Sequence, residues 1–76
     1  MKKYFFDRVG RGFAEYDFSG RDFAEPQRAY QLAQLLALDS EVEGGEEFLG
    51  GSINVRNADG QKLFSVHIRE AELAAA

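Results

Sequence analysis

Apolar and polar positions change period along this chain, and the changes mark its elements. Lys3-Tyr4-Phe5-Phe6-Asp7-Arg8-Val9 is aromatic and β-prone, and as a strand it puts Tyr4 and Phe6 on one face and Phe5 and Val9 on the other. Phe13-Ala14-Glu15-Tyr16-Asp17-Phe18 alternates Ala14, Tyr16 and Phe18 against Phe13, Glu15 and Asp17, which predicts a second strand. Gly10-Arg11-Gly12 joins the two as a hairpin, and Ser19-Gly20 closes it. From Glu25 to Glu43 the period becomes helical, with Ala29, Leu32, Ala33 and Leu36 on one face at about 100° per residue. Pro26 suits a first helical position, Asp22 and Glu25 put negative charge at the positive end of the dipole, and Gly44-Gly45 ends the run. Phe23 is expected to fold back near the start of the helix, and Phe48 and Leu49 to anchor the connection that follows it.

Alternation then returns. Ile53 and Val55 point inward between Ser52 and Arg56, and Asn57-Ala58-Asp59-Gly60 has the composition of a turn with Gly60 in the left-handed position. In the last strand Phe64, Val66 and Ile68 share one face, and Leu63, Ser65 and His67 the other. The prediction is one α+β domain over residues 1–76, ordered ββαββ. Its strands lie at about 3–9, 13–18, 52–57 and 62–69, its helix at about 26–43, and its alanine-rich tail at 70–76 is a frayed helical turn or disordered. Two hairpins joined through one helix give a four-stranded antiparallel sheet with the helix packed on one face. The first and last strands are expected side by side in its centre.

Two surfaces remain uncovered in that arrangement. Leu35, Leu38 and Val42 lie off the core stripe of the helix, and Phe5, Leu63 and His67, with Val9, line the sheet face away from it. Either is a candidate interface.

Composition narrows the function classes. With 76 residues and no Cys, the chain has a thin core and no disulfide or thiolate metal site, which leaves self-association as its most available support. No apolar run approaches the ~20 residues of a membrane span, and Met1-Lys2-Lys3 leads directly into a strand-like segment without a secretory apolar stretch. A cytoplasmic setting is expected. Residues 1–21 carry a net +2 and residues 22–76 a net −6, giving −4 overall. Asp39, Glu41, Glu43, Glu46 and Glu47 cluster at the helix end, as a solvated acidic loop or a place for a basic partner or a cation.

Catalytic chemistry finds no support. His67 is the sole His, so a two-His metal site cannot form within one chain. Ser19, Ser40, Ser52 and Ser65 lack a nucleophile-elbow context. Gly10-x-Gly12 lacks the third glycine of a phosphate loop, and Gly44-Gly45 follows a helix where a phosphate site would precede one. No catalytic residue, cofactor site, metal site or small-molecule substrate is assigned.

The opening Tyr4-Phe5-Phe6-Asp7, the Asp17-x-x-Gly20 turn, Phe23-x-x-Pro26 followed by Ala29, and the closing Ile53-x-Val55-x-Asn57-x-Asp59-Gly60-x-x-Leu63 hairpin together resemble a family of short, roughly 80-residue proteins frequent in rhizobia and related alphaproteobacteria. That family is described only as a domain of unknown function, so the resemblance implies a fold and no activity. Glu25 stands where an Asp is more usual, and the helix is richer in Leu and Gln than the family's Ala, Glu and Arg.

The reading expected is a non-enzymatic protein acting by protein–protein contact, self-associating as a homodimer or docking another protein. The first alternative is a nucleic-acid-binding module in which Tyr4, Phe5 and Phe6 stack bases beside Lys2, Lys3, Arg8 and Arg11, and a small enzyme or ligand-binding domain ranks below it. A sequence pI near 4.8 is the wrong electrostatic footprint for nucleic-acid binding.

Overall fold

The computed structural model describes residues 1–43 and 45–70, so the expected tail lies, beyond Glu70, outside the described residues. Seven elements follow one another: β1 (Lys2–Val9), β2 (Ala14–Glu15), β3 (Arg21–Phe23), α1 (Pro26–Glu43), a single 3-10 turn (Glu46–Phe48), β4 (Ser52–Asn57) and β5 (Lys62–His67). The α+β class and the helix bounds agree with the sequence pattern. The sheet differs in two respects.

First, it has five strands, because the expected strand at 13–18 is cut short. Only Ala14 and Glu15 pair, with Val9 and Arg8, and the chain returns to the same edge of β1 as β3, where Phe23, Asp22 and Arg21 pair with Lys2, Lys3 and Tyr4. Between them the Asp17 side chain replaces the ladder: its carboxylate accepts the Phe6 N–H at 3.1 Å, and also those of Ser19 and Gly20. An Asp that satisfies nearby backbone donors favours a turn over a continued strand.

Second, the first and last strands are not neighbours. β1 pairs antiparallel with β4, from Tyr4 opposite Asn57 to Val9 opposite Ser52, and β5 lies beyond β4 at the edge. The turn between β4 and β5 is as expected: Gly60 has φ 87°, and the Asn57 side-chain oxygen accepts the Asp59 and Gln61 N–H groups.

α1 packs across one face. Its fully buried positions are Ala29, Ala33, Ala37 and Ser40, with Leu32 and Leu36 half-buried on the shoulder, so the contact face is smaller in side-chain size than the expected one. Small residues let the helix axis approach the sheet closely. Ser40 satisfies its hydroxyl by donating to the Leu36 carbonyl at 2.8 Å. Tyr4, Ile53, Val55, Ile68 and Phe48 complete the core, and Phe23 joins it edge-on to Phe6 and tilted against Tyr4, with ring centroids 6.2 Å apart in each pair. The connection after the helix closes over the end of β1, where a side chain on Gly51 would collide with the Val9 carbonyl. Among the described residues no helix is long and apolar enough to cross a membrane.

Candidate functional site

On the face of the sheet away from α1 the centre is charged. Phe5 and Asp7 of β1 alternate with core-facing Tyr4 and Phe6, and β4 brings Arg56 opposite Phe5. Arg56 donates from Nε to Asp7 Oδ2 at 2.7 Å and from Nη2 to Asp7 Oδ1 at 3.3 Å and to the Asp17 carbonyl at 2.9 Å. Its guanidinium lies 4.7 Å from the Phe5 ring centroid, and the Asp17 N–H returns to Asp7 Oδ1 at 2.9 Å. Asp7 is only 5% exposed, so this ion pair is made away from bulk water.

Electrostatics follow from the same contacts. Burial pushes the Asp17 carboxyl upward, but the backbone donors of Gly20, Phe6 and Ser19 and the nearby Arg56 charge outweigh it and hold the group below its ordinary value. The hydrogen bond from Arg56 to Asp7 raises the guanidinium further above its usual range despite its partial desolvation. Both charges are thereby fixed, and the cluster clamps β1, β4 and the Asp17 turn together. Towards β5 the same face turns uncharged: Asn54 Oδ1 accepts the hydroxyls of Ser52 and Ser65 at 3.1 and 2.8 Å.

The expected interface residues fall into separate places. Phe5 is half-buried beneath Arg56, and His67 is exposed opposite Ser52 at the end of β5. Leu63 does not continue that surface. A register shift opposite Val55 and Arg56 makes it the extra residue of a β-bulge, and it lines a groove with Tyr4 and Pro26. Leu35, Leu38 and Val42 stand on the outer side of α1, exposed by 64%, 51% and 81%. At about 100° per residue they occupy an arc of about 60° centred nearly opposite the buried alanines.

The expected base-stacking rings are largely engaged: Tyr4 is buried, Phe6 packs on Phe23, and Phe5 carries Arg56 on its face. Arg8 lies over the Phe48 ring at 4.9 Å. In the acidic stretch Glu41 pairs with Arg69 at 3.5 Å, and among the described residues no group of three or more His, Cys, Asp and Glu is placed to hold a metal ion.

One exposed feature escaped the sequence reading. Phe18, expected on the apolar side of a strand, is 88% exposed beside Asp17, with Tyr16 also exposed on the other side. The available signal was Asp17-x-x-Gly20, whose turn displaces both rings from the ladder.

No curated protein and no solved structure matches the chain. A family described as a domain of unknown function (DUF6894) matches residues 3–69, nearly the whole of the chain and all of the fold except the first residue of β1. On that match the chain belongs to the DUF6894 family.

Proposed function

We propose that this domain acts by protein–protein contact and self-associates through the outer stripe of α1. The observation that carries the reading is the exposure of Leu35, Leu38 and Val42 together on one side of a helix whose opposite side is already packed. Scattered single apolar residues are ordinary on a surface, but three within one arc make a contiguous strip. The charged centre of the open sheet face makes that face the poorer choice.

Light scattering coupled to size exclusion tests this directly. The wild-type chain should run at twice its 8.5 kDa mass at high concentration, and Leu38→Glu should run as a monomer with an unchanged far-UV spectrum. A monomeric wild type across the accessible concentration range sinks the homodimer.

A cytoplasmic setting remains part of the proposal, supported by a chain without Cys and hence without need of an oxidising compartment. Nucleic-acid binding is the lesser reading, because the first-strand aromatics beside the basic residues are packed. A salt-dependent shift with single-stranded RNA, absent from Leu38→Glu or not, would revive it.

A further inference from the structure

β5 is an edge of the sheet, hydrogen-bonded to β4 on one side and to no described strand on the other. Which of its backbone groups face outward follows from Ile68, whose N–H donates to the Gly51 carbonyl at 2.9 Å and whose carbonyl accepts the Gly50 N–H at 2.8 Å. Ile68 therefore faces β4. Bonding direction alternates along an antiparallel strand, so Phe64 and Val66 also face β4, and Ser65 and His67 turn their N–H and C=O groups outward. The next outward N–H, that of Arg69, fits the alternation: it donates to Glu41 Oε2 of α1 at 3.2 Å.

The two edges of the sheet are treated differently. Along the outer side of β1, β2 and β3 supply pairing, and the Asp17 carboxylate takes the intervening Phe6 N–H. Along β5, Glu41 guards the Arg69 end, and the bulge at Leu63 beside exposed Lys62 guards the other. Between these guards Ser65 and His67 are exposed, and their main-chain groups have no hydrogen-bond partner among the described residues. The Ser65 hydroxyl does not fold over them, since it donates to Asn54 on the neighbouring strand.

Such an edge accepts an extended backbone. A second copy fits poorly, because antiparallel pairing centred on Val66 sets the bulge of each chain against the Glu41-capped end of the other, and Lys62 opposes edge-to-edge contact. A lone strand of another protein meets no such obstruction. Its residue opposite Val66 lies on the helix side, where Phe64 and Val66 are half-buried and an apolar side chain is favoured. Its residues opposite Ser65 and His67 lie on the open face and are polar. Lys62 forms no ion pair among the described residues, so an acid is favoured at the end of the segment beside it. We propose that the outer edge of β5 receives such a segment of another protein as a sixth, antiparallel strand, held by main-chain bonds at Ser65 and His67. The site is independent of the α1 stripe and stands whether or not the chain self-associates.

The test is titration of the peptide acetyl-Thr-Val-Thr-Val-Glu-amide into the full 15N-labelled chain at fixed, low protein concentration. In the antiparallel register its two Thr residues face His67 and Ser65. Saturable shifts are expected at the amides of Ser65 and His67, with a Kd on the order of millimolar. The same peptide N-methylated at both Thr residues keeps the side chains and loses the donors, and should bind at least about tenfold more weakly. Ser65→Pro should weaken the parent peptide about 2–10-fold, the worth of one hydrogen bond, while the sheet keeps its ladder because that N–H faces away from β4. The N-methylated peptide decides on the wild-type chain even where the proline variant does not fold. Three results overturn the proposal: no saturable shift at these amides, equal binding of the N-methylated peptide, or the same shifts on concentrating the chain without peptide, which gives the edge to a second copy.

Discussion

Asp7 and Arg56 are forty-nine positions apart in sequence, and each alone reads as a surface charge on a strand. In the fold they form a two-bond pair with Asp7 almost wholly buried, and breaking it leaves a carboxylate without its counter-charge. Arg56→Met should therefore lower stability by about 2–4 kcal/mol, measured by urea unfolding, the Arg side chain's partial exposure keeping the loss below that of a fully enclosed pair. Arg56→Lys should recover less than half, since an ammonium cannot reach both Asp7 oxygens and the Asp17 carbonyl in one planar fork. Full recovery by Arg56→Lys would mean that charge matters and fork geometry does not. Asp17 adds a pH dependence. A carboxyl held low in the folded chain contributes stability that is complete above its unfolded value of about 4 and is lost as pH falls through the folded value. The urea midpoint should accordingly fall on the acid side of about pH 4, and Asp17→Asn should flatten that limb while lowering the plateau above it. Alternation placed Asp17 in a strand, although the Asp17-x-x-Gly20 spacing carried its turn, whose partners Ser19 and Gly20 are local. It could not disclose the Asp7–Arg56 pair, which exists only through the β1–β4 register.

The elements were legible where one local rule governed them. α1 begins at Pro26 and ends at Glu43 as its period and flanking residues require. The strand expected at 13–18 failed because Phe13, Tyr16 and Phe18 imitate a half-buried alternation, while Asp17 takes the Phe6 N–H that a continuing strand would have paired. Strand order was hidden for a different reason: alternation assigns faces but not neighbours, and either late strand has an inward apolar set able to lie beside β1. The wheel of α1 also misled on detail, since Leu32 and Leu36 are larger than the residues that make the closest contact. That contact gives a prediction at this scale. Ala33 has no exposed surface, so Ala33→Leu should force α1 away from the sheet and cost about 1–3 kcal/mol, whereas Leu35→Ala on the outer side should stay within about ±0.5 kcal/mol for the monomer. Thermal unfolding at low protein concentration separates the two, and a neutral Ala33→Leu would mean that the helix sits on the sheet more loosely than its buried alanines indicate.

For the molecule as a whole, the size of the core decides how much association can matter. A chain of 76 residues buries a modest share of its surface, and among the described residues three of the eight buried apolar ones are alanines. A margin that thin lies at the low end of the 5–15 kcal/mol typical of folded domains, so a partner that binds only the folded state shifts the unfolding equilibrium visibly. If two copies meet along Leu35, Leu38 and Val42, mass action requires the unfolding temperature to rise with protein concentration. Leu38→Glu places a charge in the middle of that strip without touching the packed side of the helix. It should remove the concentration dependence while leaving the low-concentration unfolding temperature near that of the wild type. Calorimetry over a hundredfold range of concentration makes the comparison. A sloping wild type beside a flat Leu38→Glu assigns part of the chain's stability to a second copy. Parallel slopes move the contact off α1, and two flat lines leave the strip to a different protein.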